Sequence, residues 1–213
     1  MKNFVVLLFL VTGMFAGGGD IFRYQMLVDQ FEASSQGKPS WDASFFIGYD
    51  ANKIYLYSEG DSKEQENEIV FSHAITPFFD LQIGMEHDMK DKGATFGEIT
   101  LMGLAPYFIE TRTKLLFGEG GVGIDFDFEY ETLFTQRLIL NSRIESRIFS
   151  KDIEKAGIFQ GLNDITVGFR LRYEIQREFA PYIGYSVTRN FGGLKREEGK
   201  VKDRFVTGIR FWF

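Results

Sequence analysis

Apolar and polar residues alternate with a period of two along most of this chain. In the clearest segment, Val122–Phe134, apolar side chains alternate with glycine and four acidic side chains. A period of two places the two sets on opposite faces of a β-strand. Ile165–Ile175 and Phe205–Phe213 repeat the pattern. The alternation therefore predicts an all-β protein whose strands have one apolar and one polar face.

The length of the alternating segments indicates where these strands lie. Strands of soluble sheets are about five or six residues long, whereas tilted transmembrane strands need about ten. Twelve strands are predicted: Tyr24–Ala33, Trp41–Asp50, Lys53–Glu59, Glu68–Ile75, Phe78–Asp88, Ala94–Leu104, Tyr107–Phe117, Val122–Phe134, Arg137–Phe149, Leu162–Ile175, Phe179–Phe191 and Asp203–Phe213. We predict a transmembrane, antiparallel up-and-down outer-membrane β-barrel of about 12 strands. A soluble β-sandwich or a lipocalin-like barrel is the alternative.

The connections between these strands are of two kinds. Those after the even-numbered strands are tight, and those after the odd-numbered strands are mostly longer and polar, such as Gly60–Asn67 and Ser150–Gly161. Bacterial outer-membrane barrels have short periplasmic turns and long external loops. The chain also ends in Arg210-Phe211-Trp212-Phe213, which resembles the C-terminal signature of such barrels. The pattern predicts the outer membrane of a Gram-negative bacterium, with both termini periplasmic.

The N-terminal residues differ from the rest of the chain. Lys2 precedes an apolar stretch, Phe4–Phe15, which is followed by Ala16 and three glycines. A positive start, a short apolar stretch and small residues are typical of a secretory signal peptide. We predict a signal peptide over residues 1–18, with cleavage near Gly17–Gly19, and a barrel over residues 19–213.

Composition excludes several classes of function. The 213 residues include no Cys and two His, and the net charge is −6. A disulfide scaffold, a Cys-ligated zinc site and a thiol nucleophile are excluded, and nothing indicates nucleic-acid binding, which needs a basic surface. Ser72 adjoins His73 but points to the opposite face of its strand, so the pair cannot act as nucleophile and base. We predict that the protein is not an enzyme.

The polar face of each strand points into the lumen of such a barrel. Neighbouring strands then offer side chains of opposite charge, which pair across a sheet. The predicted lumenal charge network comprises Asp80, Glu86, Arg112, Asp125, Asp127, Glu129, Glu131, Arg143, Glu145, Arg147, Arg170, Arg172 and Arg210. Two interpretations are open: a structural network of ion pairs that fills and rigidifies the lumen, or a narrow charged path for small ions.

Side chains that could bind a soft metal ion are few. Met85, His87 and Met89 stand at every second position and so share one face near the end of the fifth strand. Met and His are suitable ligands for copper, and thioether sulfur favours Cu(I). Alternation points this face toward lipid, so the three can bind metal only if the strand has left the membrane there. Met102 is predicted to face the lumen. These four residues are the candidate copper ligands.

Several stretches of the sequence resemble the copper-resistance B family of outer-membrane proteins. Most of them lie at tight turns and strand ends, and together they extend over residues 27–213. They are Trp41-Asp42, Ile47-Gly48-Tyr49-Asp50, Asn52-Lys53, Ser58-Glu59-Gly60, Ser72 to Gln82, Gly103 to Phe108, Thr135 to Leu140, Leu171 to Ile175, Arg177 to Gly184, Arg204-Phe205-Val206 and Arg210 to Phe213.

The resemblance implies an outer-membrane β-barrel of copper homeostasis that binds copper ions or passes them across the membrane. Its expected partners are outer-membrane lipid, copper ions and a periplasmic copper protein. Many members of the family carry a Met- and His-rich segment between signal peptide and barrel, and here Gly17–Arg23 fills that position without Met or His. A barrel with a closed lumen and a structural or docking role, without direct copper handling, is the alternative.

Overall fold

Twelve antiparallel strands form one closed barrel. The structure, a computed structural model, describes residues 21–37, 39–62, 64–90 and 93–213, with the backbone alone at 197 and 198. The strands are β1 (Arg23–Ser34), β2 (Pro39–Gly48), β3 (Asn52–Asp61), β4 (Gln65–Ala74), β5 (Phe79–Asp88), β6 (Ala94–Ala105), β7 (Ile109–Gly118), β8 (Gly121–Leu133), β9 (Leu138–Phe149), β10 (Gly161–Tyr173), β11 (Phe179–Asn190) and β12 (Val201–Trp212). The predicted twelve-stranded barrel is confirmed. The predicted signal peptide lies outside the described residues.

Each strand pairs with its neighbours in sequence, and β1 pairs with β12 to close the ring. This seam includes the end of the chain: the Phe213 backbone N–H donates to the Met26 carbonyl at 2.9 Å, and the Met26 N–H donates to the Phe213 carbonyl at 3.2 Å. A β-bulge interrupts the register of β1 between Val28 and Phe31. Closure leaves no free sheet edge, which a membrane-spanning sheet requires.

Two connections at one end of the barrel, residues 150–160 and 191–200, are longer than all the others, whereas the predicted long loop Gly60–Asn67 is only a short turn between Asp61 and Gln65. We call the end that carries the connections after β1, β3, β5, β7, β9 and β11 the loop rim, and the opposite end the turn rim. The loop after β11 contains a short helix, α1 (Gly192–Glu198), which alternation did not predict. At the turn rim, Tyr107 and Phe108 adopt positive φ angles of 68° and 62° within a 3₁₀ turn, so β7 begins at Ile109 and not at Tyr107. Among the described helices, none is long and apolar enough to cross a membrane.

The two faces of the barrel wall differ in chemistry. Large apolar side chains on the outer face are exposed, for example Ile83 at 55% and Phe205 at 67%. The buried side chains of the inner face are mostly polar or charged, including Gln82 and Glu86, both 0% exposed. Strand alternation thus separates an apolar outer surface from a charged lumen, which is the arrangement of a membrane β-barrel.

One side of the lumen near the loop rim is packed with apolar side chains, a group that we call the apolar plug. Its members are Ala94, Phe96, Leu116, Phe149, Ile153, Ala156 and Ile158. The strand residues Phe96 and Phe149 contact each other edge to face, with ring centroids 5.7 Å apart. A Cβ on Gly123 would lie 2.4 Å from the Phe149 ring, so only glycine leaves space for that ring. Apolar packing therefore closes this part of the lumen.

Candidate functional site

Next to the apolar plug and farther from the loop rim, the lumen contains a cluster of ion pairs centred on Lys114 of β7, two residues from Leu116 on the same strand. The Lys114 Nζ donates hydrogen bonds to Glu66 Oε1 at 2.8 Å, Glu68 Oε1 at 2.9 Å and Glu86 Oε2 at 2.8 Å. Asp125 Oδ2 lies 3.9 Å from the same nitrogen. We call Glu66, Glu68 and Glu86 the carboxylate cradle. These carboxylates come from β4 and β5, three and two strands from Lys114, and meet only because the sheet curves into a barrel.

Two arginines of β9 connect opposite walls of the lumen. Arg147 donates to Asp125 of the adjacent strand and to Glu66 of β4, both at 2.8 Å. Arg143 holds Asp127 with two hydrogen bonds of 2.9 and 2.8 Å and reaches Asp42 of β2 at 2.9 Å. Because β4 and β2 each lie five strands from β9 around the ring, in opposite directions, these two arginines cross the interior of the barrel.

Other charged side chains line the rest of the lumen in pairs. Arg210 donates to Asp29 at 2.7 Å, Arg172 to Glu131 at 2.6 Å and Arg170 to Glu32 at 2.6 Å. Arg112 forms a bidentate pair with Glu68, and Asn141 donates to Glu129. Asp80 accepts from Ser72 at 3.0 Å and lies 3.7 Å from Lys53. Glu145 lies 3.0 Å from Arg143.

The predicted lumenal residues are thus brought together in the interior, and the structure adds members that sequence reasoning left out. The most important additions are Glu66 and Glu68 of the cradle. The sequence predicts that the fourth strand begins at Glu68, which leaves Glu66 in the preceding loop. In the structure β4 begins at Gln65 and includes Glu66. The sequence does contain a signal for this: every second residue from Glu66 to Ser72 shares one face of the strand, and this alternation places both acids in the lumen.

Two cavities lie within the charged part of the lumen. One of about 350 Å³ lies under the loop rim and is lined by Asp42, Glu66, Asp88 and Arg204 among others. The second, of about 250 Å³, lies deeper, and Lys114, Arg112 and Asp127 contribute to its wall. Glu66, Arg143 and Arg147 line both cavities, so the ion pairs that cross the lumen stand between them.

The candidate copper ligands lie on two different faces. Met85, His87 and Met89 all point outward, with Met85 56% and Met89 49% exposed. Met102 lies inside, where its sulfur accepts from the Tyr57 hydroxyl at 3.5 Å and from Gln82 Nε2 at 3.8 Å. The barrel wall separates Met102 from the other three, so the four residues do not form one site.

The surroundings of the three outward ligands change along β5. Met85 lies between Ile69 and Gly97 on the neighbouring strands, in an apolar row. His87 lies between Asn67 and Thr95, and its Nδ1 is 2.8 Å from Thr95 Oγ1. The outer surface therefore turns polar between Met85 and His87, at the loop-rim end of the strand.

Comparisons with known proteins agree with this architecture. The family model for the copper resistance protein B precursor (CopB) matches residues 22–213. Copper resistance protein B of Escherichia coli is 36% identical over 206 residues, which cover 90% of this chain and 70% of that protein. The copper resistance protein B homolog of Pseudomonas syringae pv. tomato is 29% identical over 194 residues, or 85% of this chain and 66% of that protein.

Solved structures show the same fold at low sequence identity. The KdgM porin superposes with a TM-score of 0.51 at 12% identity, and the NanC porin with a TM-score of 0.53 at 12% identity. Each comparison covers 89% of this chain and 99% of the porin. The closed ring, the apolar outer face and these neighbours define an outer-membrane β-barrel with a charged interior.

Within that class, the chain belongs to the copper resistance protein B family. The match over residues 22–213 and the 36% identity to the E. coli protein carry this assignment. The resemblance recognised in the sequence is therefore confirmed. Copper resistance proteins of this family and the porin-like barrels are not enzymes, in agreement with the prediction.

Proposed function

We propose that this barrel takes copper ions from the loop rim into its acidic lumen, as the outer-membrane component of a copper-resistance system. The observation that carries the proposal is the charge of the cavity under the loop rim. Its described lining residues include eight carboxylates and five basic side chains. The carboxylates exceed the basic groups by three (8 − 5), and an excess of one sign of charge in a cleft bounded by low-dielectric walls concentrates ions of the opposite sign. Family membership identifies copper as the cation to test.

The proposed orientation places the loop rim outside the cell and the turn rim in the periplasm. Even-numbered strands end in tight connections, and both described ends of the chain lie at the turn rim, as in bacterial outer-membrane barrels. A periplasmic copper protein would then meet the turn rim. This orientation makes the acidic cavity the first part of the lumen that an external cation reaches.

Passage through the barrel requires the lumenal ion pairs to rearrange. Arg147 with Glu66, and Arg143 with Asp42, stand between the outer and the deeper cavity. A cation in the outer cavity can compete with the two arginines for the carboxylates of Glu66 and Asp42, because a paired carboxylate can exchange one positively charged partner for another. We infer binding at low stoichiometry, with copper(II) suited to the carboxylate oxygens.

Met85, His87 and Met89 form a second proposed copper contact, on the outer surface. His87 and Met89 lie beyond the apolar row of Met85, at the polar end of β5. Thioether sulfur favours copper(I), so this site would differ from the lumen in oxidation state.

A closed barrel with a structural or docking role is the competing function. The same ion pairs favour it, because arginines that link opposite walls rigidify the lumen and obstruct it. The two functions differ in one measurable property, which is whether copper ions enter the lumen.

Reconstitution in lipid vesicles separates the two functions. Purified barrel is inserted into vesicles that contain a copper-sensitive fluorescent chelator, and Cu²⁺ or Cu⁺ is added outside, with protein-free vesicles as the control. We expect a copper-dependent signal above the control, together with saturable copper binding by the barrel in detergent. If neither copper flux nor copper binding exceeds the control for either oxidation state, the copper function is wrong and the closed barrel remains.

A further inference from the structure

Glu98 of β6 is a buried carboxylate whose two oxygens accept no hydrogen bond from any residue that the structure describes. Its side chain is on the lumenal face, and the residue is 2% exposed. β6 lies between β5, which carries Glu86, and β7, which carries Lys114. Glu98 pairs with Gly84 of β5 and Leu116 of β7, so Glu86 and Lys114 are its diagonal neighbours on the same lumenal face. Glu98 therefore points toward the carboxylate cradle but takes no part in its hydrogen bonds.

The cradle has the dimensions of a cation site. One carboxylate oxygen from each of Glu66, Glu68 and Glu86 lies within 4.8 Å of the others. The Lys114 ammonium sits among them, with contacts of 2.8, 2.9 and 2.8 Å. Glu86 Oε1, the second oxygen of that carboxylate, is buried and accepts no hydrogen bond. Its nearest cation there is Arg147, at 3.8 Å. Glu86 and Glu98 thus have oxygens that no described group hydrogen-bonds and that a further cation could use.

The charges around the cradle do not balance among the described residues. Ion pairs link three basic groups, Lys114, Arg112 and Arg147, to five carboxylates. These are Glu66, Glu68, Glu86, Asp88 and Asp125. Glu98 adds a sixth carboxylate. A buried charge without a partner is costly, so an excess of carboxylates favours binding of a positive ion.

We propose that the carboxylate cradle and Glu98 bind a divalent metal cation, which competes with the Lys114 ammonium. Glu98 and Glu86 Oε1 supply the first oxygens, and Glu66 and Glu68 become available as the ammonium moves toward Asp125. Asp125 Oδ2, 3.9 Å from Nζ, gives the displaced ammonium a carboxylate to pair with. Lys114 and Glu66 line the deeper cavity, which gives an ion access.

Oxygen ligands of this kind suit hard divalent cations such as Ca²⁺ and Mg²⁺, and they also bind Cu²⁺. For Cu²⁺ the inference rests on the proposed function and names its lumenal site. For Ca²⁺ and Mg²⁺ it stands independently of copper. The test therefore uses all three ions.

The test measures binding of Cu²⁺, Ca²⁺ and Mg²⁺ by calorimetry to the full-length barrel in detergent. His73→Gln and His87→Gln are introduced throughout, because these two histidines could bind Cu²⁺ at the surface. In this background we expect Glu98→Gln, which keeps the shape of the side chain, to weaken binding about tenfold or more. Glu131→Gln is the matched control: it removes one lumenal carboxylate far from the cradle, and Arg172 keeps Glu174 at 3.6 Å. We expect its affinity to equal that of the background.

We expect Lys114→Met to raise the affinity for divalent cations, whereas Glu98→Gln lowers it. Without the ammonium, the three cradle carboxylates lose the cation that they share, and Glu68 and Glu66 keep only Arg112 and Arg147. We therefore expect tighter divalent binding than in the background. The same variant should unfold more readily in a chelator, and addition of the bound cation should restore its stability more than it raises that of the background protein. If Lys114→Met does not fold even with the cation, the Glu98→Gln comparison decides.

The results separate this inference from the proposed function. Binding of any of the three ions that depends on Glu98 supports the site. Equal affinity of the background and Glu98→Gln for every ion, or no divalent binding at all, overturns it. If Cu²⁺ binds equally well to both proteins and no binding of Ca²⁺ or Mg²⁺ depends on Glu98, the site is overturned while the proposed function stands. Glu98-dependent binding of Ca²⁺ or Mg²⁺ without any copper binding supports the site and contradicts the proposed function.

Discussion

The loop-rim half of the lumen is filled in two different ways. On one side, the apolar plug brings Ile153, Ala156 and Ile158 of the β9–β10 loop against side chains of the wall. Next to the plug and farther from the rim, Lys114, Arg147 and their carboxylates fill the interior, and two cavities remain in the charged part. The two regions meet where Glu86 of β5 lies beside Phe96 of β6.

The difference separates a part of the lumen that apolar packing closes from a part that ion pairs hold together. Apolar side chains pack to high density and exclude water, so the plug is closed to ions. Charged side chains are stable in the interior only when they are paired, and a paired group can exchange one partner for another. The plug therefore provides rigidity, and the charged side provides the part of the lumen that can respond to cations.

Of the variants proposed here, Lys114→Met should lower the free energy of unfolding most when it is measured without divalent cations. The change leaves three buried carboxylates without their common partner, which should lower the free energy of unfolding by about 3–5 kcal/mol. Urea unfolding, followed by the shift between folded and unfolded bands on a gel, measures it. Lys155→Met is the control, because Lys155 pairs with Glu119 in an exposed loop. A loss no larger than that of the control would show that the cradle does not depend on its ammonium.

Ile153→Ala, in the apolar plug, should lower the free energy of unfolding less than Lys114→Met does, and it should change the conductance of the barrel more. Removal of buried methyl groups costs about 2 kcal/mol or more, depending on how far the site collapses. Because Ile153 comes from a loop, we expect the loop to detach and single-channel conductance in planar bilayers to rise. Val201→Ala, at an exposed position of the same rim, is the control. Unchanged conductance would mean that the plug does not close the lumen.

Asp42→Asn should change stability less than either of these variants. Arg143 keeps its ion pairs with Asp127 and Glu145 when Asp42 loses its charge. The free energy of unfolding should therefore fall by only about 1 kcal/mol. The variant breaks one of the links that cross the lumen, and we expect a higher conductance. Asp50→Asn, which affects an exposed pair with Arg23, provides the reference. Equal conductance of the two variants would show that the Arg143–Asp42 link is not an obstacle.

The smallest effect on stability is expected from the combined variant Met85→Leu, His87→Gln and Met89→Leu. All three side chains are exposed, so the free energy of unfolding should stay within about 0.5 kcal/mol of the wild type. Copper(I) affinity should fall, because the thioether ligands are lost, while copper(II) binding in the lumen should be retained. Retention of copper(I) binding would direct attention to Met102, the candidate ligand inside the barrel.

The sequence predicted the charged side of the lumen better than the apolar plug. Strict alternation along β8 identified Asp125 and Asp127 as lumenal, because a period of two requires no knowledge of distant contacts. Their partners across the barrel, such as Arg143 with Asp42, depend on how the ring closes, which alternation does not specify. Ile153 and Ile158 lie in a segment that the sequence predicts to be a polar loop. They are buried in one cluster with Phe96 and Leu116 of the distant strands β6 and β7, and a local pattern carries no signal for such contacts.

The seam between β1 and β12 has a practical consequence for labelling experiments. Because the backbone of Phe213 pairs with Met26, an affinity tag fused to Phe213 would interfere with the strand pairing that closes the ring. Gly37 and Gly199 are better insertion points, since each lies in a turn of the loop rim with open space around it. An epitope placed there, probed with antibody on intact cells, would report directly which rim faces the medium.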